Sequence, residues 1–211
     1  MATSGYQNSV FVLQFLERLF PESILDVGAG FGKWGFLCRC HLGLGLSVKT
    51  HPDERLKIDC IEAYQPNVTP LYDVVYNKYY IGNAKDIIKK LSPYDVIICG
   101  DMIEHLEKQT GQALLDDMLE KAKDAVILIF PFGKCEQGAL YGNPYEVHKS
   151  TWDQGDFKRY DCYLKKHKFN DKLEIATVIF PRSDRARWLL KIIRNPLRSV
   201  ISHLLARTRG E

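Results

Sequence analysis

None of the six cysteines in this 211-residue chain (Cys38, Cys40, Cys60, Cys99, Cys135, Cys162) forms a C-x-x-C pair, and their spacing is not that of a zinc ribbon. A structural zinc site and a disulfide framework are therefore not expected. Cys60 and Cys99 fall inside apolar runs, where a reduced thiol packs as a small hydrophobe. The chain also lacks any unbroken apolar stretch near the roughly 20 residues that cross a bilayer, and no secretory leader is recognisable. The expectation is a cytoplasmic protein. Internal repeats and low-complexity tracts are missing too, which argues against solenoids and disordered scaffolds. Nor is there a large excess of either charge: 29 basic and 26 acidic residues leave +3.

That balance hides an asymmetry. Residues 182–211 hold eight basic side chains (Arg182, Arg185, Arg187, Lys191, Arg194, Arg198, Arg207, Arg209) and two acidic ones. Taking this +6 from the total of +3 leaves −3 for residues 1–181, so a mildly acidic body carries a basic tail. What remains is the make-up of one globular α/β domain: 45% hydrophobic, 26% charged, and long enough for a full core.

The stretch that organises the rest is Ser23-Ile24-Leu25-Asp26-Val27-Gly28-Ala29-Gly30-Phe31-Gly32. A short apolar run reads as a buried strand, and glycines then break it, letting backbone approach a ligand closely. The helix expected next would turn unpaired N–H groups and a positive dipole end toward an anionic group. Dinucleotide folds use the same device with G-x-G-x-x-G spacing. Here the spacing is G-x-G-x-G with an acid two residues before it. The stretch resembles motif I (D/E-x-G-x-G-x-G) of class I S-adenosylmethionine (SAM)-dependent methyltransferases, with Asp26, Gly28, Gly30 and Gly32 at the four marked positions.

Taken in order, the pattern predicts a helix over 8–20 stopped by Pro21, strand one over 23–28, and a helix over 33–42. A glycine-rich surface insertion over 41–53 should follow, with His41 and His51 solvated. Strand two (56–62) ends at Glu62, whose two acceptor oxygens suit a pair of ribose hydroxyls. A helical stretch over 67–76, strand three (79–82), a brief helix over 87–91 and strand four (94–100) come next. A helix over 112–122, strand five (125–130), a long loop over 134–151 and a helix over 151–159 lead to two strands (163–169 and 172–180) about the turn signal Asn170-Asp171. The implied fold is α/β: a Rossmann-like seven-stranded sheet with an antiparallel last strand, helices on both faces, and a C-terminal basic amphipathic helix. Residues 1–181 would form the methyltransferase domain and 182–211 the extension.

The resemblance implies a cofactor-binding set of Asp26, Gly28, Ala29, Gly30 and Gly32 at the methionine end, Glu62 and Ala63 at the ribose, and Asn83 and Ala84 at the adenine, with Asp101 nearby. Tyr64 would pack near the adenine. Strand four delivers Asp101-Met102-Ile103-Glu104-His105-Leu106 to the same crevice, since ligands of open α/β sheets bind beyond the strands' carboxyl ends. The triplet Glu104-His105-Leu106 resembles motif IV of small-molecule methyltransferases. An imidazole titrates near neutrality unaided, so His105 is the candidate general base, with Glu104 orienting it and His148 pointing in from the long loop. A second resemblance concerns Asp101-x-x-Glu104-His105 with His148, which is similar to the metal-binding E-x-x-E-H pattern of small-RNA 3′-terminal 2′-O-methyltransferases. There Asp101, Glu104, His105 and His148 would hold Mg²⁺, Mn²⁺ or Zn²⁺ against a substrate hydroxyl.

In the tail, Trp188, Leu189, Leu190, Ile193, Leu197, Val200, Ile201, Leu204 and Leu205 recur at helical spacing, with arginines mainly opposite. That suits either a helix lying on an anionic membrane surface or one packed on the domain or on a second subunit. Binding of nucleic acid through the arginines is the weaker alternative, because no aromatic platform is interleaved with them. Transfer of a methyl group from SAM to oxygen, less readily nitrogen, of a small-molecule or glycan-like acceptor is the expected function. The rivals are a metal-dependent RNA 2′-O-methyltransferase, a nicotinamide-dependent oxidoreductase, and a SAM-binding protein without catalysis held at a membrane.

Overall fold

The computed structural model describes residues 5–43, 56–140 and 142–194. Among these residues seven strands are present: β1 (Ser23–Val27), β2 (Lys57–Glu62), β3 (Lys78–Ile81), β4 (Tyr94–Gly100), β5 (Ala122–Phe132), β6 (Tyr163–Lys168) and β7 (Glu174–Pro181). They form one sheet in the order β3-β2-β1-β4-β5-β7-β6. β1 to β5 pair in parallel, whereas β7 runs antiparallel to both β5 and β6. The expected Rossmann-like sheet with its antiparallel final strand is therefore observed.

Among the described residues six α-helices accompany the sheet: α1 (Ser9–Leu19), α2 (Lys33–Gly43), α3 (Leu71–Val75), α4 (Ala84–Ile87), α5 (Lys108–Lys121) and α6 (Asp184–Arg194). Successive strand residues alternate between two buried clusters. Ile24, Ile58, Val96, Ile98 and Ile127 face the α1, α2, α3 and α6 side. Leu25, Ile61, Ile97, Cys99 and Leu128 face α5 and the Trp152–Phe157 stack. Burial on both faces explains why the central strands read as nearly unbroken apolar runs. All six cysteines are free, and Cys60 and Cys99 are fully buried, as their apolar surroundings predict.

Helix α1 ends where Phe20 adopts the left-handed conformation (φ 54°) and returns its N–H to the Leu16 carbonyl at 2.7 Å. Pro21 cannot prolong the helix. Three expectations need adjusting. The helix over 151–159 is a single 3-10 turn, Gln154–Phe157, held by reciprocal Asp153 and Asp156 side-chain bonds. Those short polar side chains satisfy the local amide groups and offer the backbone an alternative to a longer helix. The stretch over 67–76 splits into a 3-10 turn, Gln65–Asn67, and the short α3, because Pro70 has no N–H for a continuous ladder. Strand five runs on to Phe132, since its antiparallel pairing with β7 extends to Glu174.

Ala186, Leu189 and Leu190 of α6 are buried in the α1–α2 cluster, and Arg185 donates to the Arg18 carbonyl at 3.1 Å. The first part of the basic tail thus packs on the sheet's helical layer. The remaining tail, 195–211, and most of the glycine-rich insertion, including His51, lie outside the described residues. His41 is half-exposed, 3.6 Å from the Glu17 carboxylate. Among the described residues no helix is long and apolar enough to cross a membrane.

Candidate functional site

The strand order reverses its direction of growth at β1, with β2 on one side and β4 on the other, and this opens a crevice at their carboxyl ends. The glycine turn sits there. Gly28 and Ala29 donate to the Ile61 carbonyl at 2.9 and 3.2 Å, tying the turn to the end of β2. Gly28 and Gly30 both have positive φ (76° and 56°), but their surroundings differ. A Cβ on Gly28 would meet Met102 Cγ at 2.4 Å, whereas one on Gly30 would find nothing within 4 Å. The ground above Gly30 is an open cradle of the kind a ligand occupies.

Two acids lie beneath the turn. Glu62 accepts from the Gly30 N–H (Oε2, 2.7 Å) and the Tyr64 N–H (Oε1, 2.7 Å), and burial raises its pKa. Asp26 is 1% exposed, and its Oδ2 accepts from Tyr76 Oη at 2.7 Å and the Gly35 N–H at 3.1 Å. Its Oδ1 is buried without a hydrogen-bond partner, and desolvation lifts the carboxyl to about pH 6. Tyr72 donates to the Gly30 carbonyl at 2.6 Å and meets the Tyr76 ring edge-on at 5.0 Å. These two tyrosines prop the turn from below, and the sequence reading missed them. Their spacing of four on a helical stretch puts them on one face and was the available signal.

Asn83 and Ala84 open α4 beyond β3; Asn83 Oδ1 caps the helix by accepting from the Lys85 N–H at 3.1 Å, and Ala84 is buried. Ala63 follows Glu62 and is half-buried. The Tyr64 ring meets Tyr145 of the long loop at 6.3 Å, so that loop reaches across the crevice mouth.

Beyond β4 the chain turns sharply. Asp101 takes φ 49°, rare for a residue with a side chain, and donates its N–H to the Ile129 carbonyl at 2.8 Å. Its charge acts on Lys33, whose ammonium is held by the Gly5 carbonyl at 2.8 Å. Glu104 is 3% exposed with Oε2 unpartnered, and its carboxyl is pushed well up, first by burial and then by Asp101. The Glu104 carbonyl accepts from the Lys149 and Ser150 N–H groups at 2.8 and 3.0 Å, which brings the long loop down onto the site.

His105 and His148 consequently meet, their rings edge-on at 4.9 Å. His105 Nδ1 lies 3.3 Å from the Val147 carbonyl, and His148 Nδ1 lies 2.6 Å from the Cys135 carbonyl. A carbonyl only accepts, so each Nδ1 carries a proton, and His105, which burial keeps neutral, leaves its Nε2 lone pair for something else. One ligand atom each from Glu104, His105 and His148 falls within 4.8 Å of the others. Asp101, the fourth candidate, stands outside that trio. Burial, and secondarily His148, lower the His105 pKa to about 4, so the ring is neutral at physiological pH.

This arrangement is the class I SAM-dependent methyltransferase fold. Solved structures with that fold include the N-terminal domain of EvdMO1 in the presence of SAH and D-fucose (TM-score 0.60, 13% identity, covering 85% of this chain and 84% of that one). The magnesium protoporphyrin IX methyltransferase ChlM of Synechocystis PCC 6803 with bound SAH is similar over 84% of each chain (TM-score 0.57, 13% identity). The methyltransferase domain of bacterial CtHen1-CN matches over 83% of this chain and 98% of that one (TM-score 0.55, 16% identity). No protein-family model and no curated protein sequence matches the chain.

Proposed function

We propose that the chain transfers a methyl group from SAM to an oxygen of a small, polar acceptor. One observation carries the reading: an open glycine cradle backed by buried acids lies at the end of β1, and Glu104 and His105, met by His148 of the long loop, lie beyond the adjacent β4. The first suits a nucleoside with an amino-acid arm, and the second suits an acceptor hydroxyl. The D-fucose present with EvdMO1 is consistent with an acceptor of this size.

SAM would supply an electrophilic methyl on a sulfonium: the acceptor oxygen bonds to the methyl carbon in line as the S–C bond breaks, and neutral S-adenosylhomocysteine is the leaving group. The residues of this chain do the positioning. Glu62 would exchange its Gly30 and Tyr64 amide partners for ribose hydroxyls, and Asp26 would face the ammonium of the methionine arm. Asn83 and Ala84 border the adenine side. His105 Nε2, neutral and unprotonated, takes the hydroxyl proton as the new O–C bond forms. His148, anchored to the Cys135 carbonyl, lies edge-on to His105 and bounds the space the hydroxyl would occupy. Burial raises the Glu104 pKa and so disfavours a competing negative charge beside the departing proton.

Calorimetric titration with SAM, S-adenosylhomocysteine and NAD tests the cofactor assignment: binding of the first two and none of NAD is expected, and the reverse would replace this reading by an oxidoreductase. His105→Ala should then depress turnover at least 100-fold, on the order expected for a lost general base, with SAM affinity unchanged. Equal losses in both would make His105 structural.

A second reading has its own support. Carbonyl anchors on both Nδ1 atoms and an unpartnered buried carboxylate oxygen form the outer support that metal-ligating histidines usually have. Glu104, His105 and His148 fit a divalent cation, which would lower the pKa of an acceptor hydroxyl. For the tail, peripheral membrane contact is supported by Trp188, 54% exposed on α6 between Arg187 and Lys191. Removing 195–211 and replacing Trp188 by Ser should release the chain from phosphatidylserine vesicles; unchanged co-sedimentation would end that idea.

A further inference from the structure

Beside His148 lies a cavity of about 500 Å³, walled by two runs of the long loop, 134–138 and 148–151. Its volume suits a ligand of one or two sugar rings, within the usual range for small-molecule sites. Among the described residues the lining contains no aromatic ring other than the His148 imidazole and no branched aliphatic side chain. A flat hydrophobic acceptor would find nothing to stack on, whereas Gln137 and Thr151 offer polar atoms.

The charges on the wall are unequal. Lys134 and Lys149 are cationic, and the one acid, Glu136, is engaged by Lys134 at 2.7 Å. Among the described residues Lys149 has no ion-pair partner, and it directly follows His148 in sequence. Its backbone is fixed, because the Lys149 N–H donates to the Glu104 carbonyl at 2.8 Å. The wall therefore presents a net positive charge next to the His148 imidazole.

Building on the methyl-transfer reading, we propose that this cavity is the acceptor site and that the acceptor is a hydroxyl-bearing small molecule with an anionic group, phosphate or carboxylate, which Lys149 engages while a hydroxyl reaches His148. Lys149 is thereby a specificity-determining residue. An exposed ammonium is a flexible point charge, so it selects for negative charge rather than for one planar geometry.

The test is a binding measurement on the full chain saturated with S-adenosylhomocysteine, and it needs no turnover. Glucose, glucose 6-phosphate and glucuronate are titrated in turn, the last two being the phosphate and carboxylate arms. Glucose 6-phosphate or glucuronate should bind about tenfold more tightly than glucose, the factor that about 1.4 kcal/mol represents. Lys149→Ala should abolish that preference, Lys149→Arg should retain it, and both variants should bind S-adenosylhomocysteine as the wild type does. Equal affinity for all three sugars, or a preference that survives Lys149→Ala, overturns the proposal. Whether S-adenosylhomocysteine binds at all is read first and separately, so failure of the cofactor reading is distinguishable from failure of this one.

Discussion

Replacing Asp26 by Asn should make the ligand-free protein more stable while weakening its hold on SAM. The Asp26 carboxyl is buried, with one oxygen taking both hydrogen bonds and the other taking none. An Asn can keep the Tyr76 and Gly35 bonds through its Oδ1 and set its amide where the unpartnered oxygen now lies. The difference between a folded pKa of about 6 and the ordinary 3.8, at 1.36 kcal/mol per pH unit, makes the buried charge destabilising by about 3 kcal/mol above pH 6. An amide left unpartnered returns roughly 1–2 kcal/mol of that. A net gain of about 1–2 kcal/mol raises Tm by about 3–6 °C for a chain of this size.

The sign of the pH dependence is diagnostic. Folding takes up a proton at Asp26 between about pH 6 and 3.8, so the wild type recovers stability from this group as pH falls through that window. His105 acts oppositely. Its folded pKa of about 4 lies below the ordinary 6.5, so its contribution is full above 6.5 and lost as pH falls toward 4. Only the difference between the two proteins isolates Asp26. By differential scanning fluorimetry without ligand, Asp26→Asn should lead at pH 8 and lose its lead by pH 4. Calorimetry at pH 8 should show SAM binding at least tenfold weaker, the loss of about 1.4 kcal/mol from one charged contact. A variant that melts at or below the wild type at pH 8, or one whose lead does not change with pH, would refute the reasoning.

Gly28→Ala and Gly30→Ala should separate folding from binding. Each bears about 1–2 kcal/mol for a left-handed alanine. Gly28→Ala must also displace Met102, whose Cγ lies 2.4 Å from the new methyl, so it should melt lowest, while Gly30→Ala bears only the backbone strain but fills the open cradle and loses SAM. A Gly30→Ala protein that binds SAM normally would move the cofactor elsewhere. Zn²⁺ or Mn²⁺ titrated into the Glu104–His105–His148 cluster should release a proton, because burial raises the Glu104 pKa and favours the carboxyl form, which must ionise to ligate. Calorimetry in buffers of different ionisation enthalpy reads that proton, and Glu104→Gln should remove it; proton-free binding would place the ion elsewhere. His105→Asn should remove the loss of about 3 kcal/mol that the wild-type ring contributes as pH falls from 6.5 to 4, leaving the opposite rise from Asp26, as chemical denaturation at each pH would report; an unchanged profile would mean the ring is solvated.

Much of the frame was legible in the residue order. Apolar alternation, the Gly28–Gly32 punctuation and the run from Tyr94 to Gly100 locate strands because they are local consequences of burial and backbone freedom. Glu62 closing β2 and Glu104-His105 following β4 could be proposed for the same reason, since strand ends in such sheets point into one crevice. Helix limits were less readable: the 3-10 turn at Gln154–Phe157 rests on a reciprocal Asp153–Asp156 cap, which competes with helical periodicity at short range.

The sequence alone determined the sheet, the glycine turn and the identities of the acids and imidazoles near it, because each follows from periodicity or from what one residue type can do. Only the tertiary structure decided which of them meet. His148 reaches His105 because the Glu104 carbonyl captures the Lys149 and Ser150 amides, and Tyr76 reaches Asp26 across 50 positions of chain. Such meetings depend on hydrogen bonds between distant segments, and those form only once the sheet has set where each loop begins and ends.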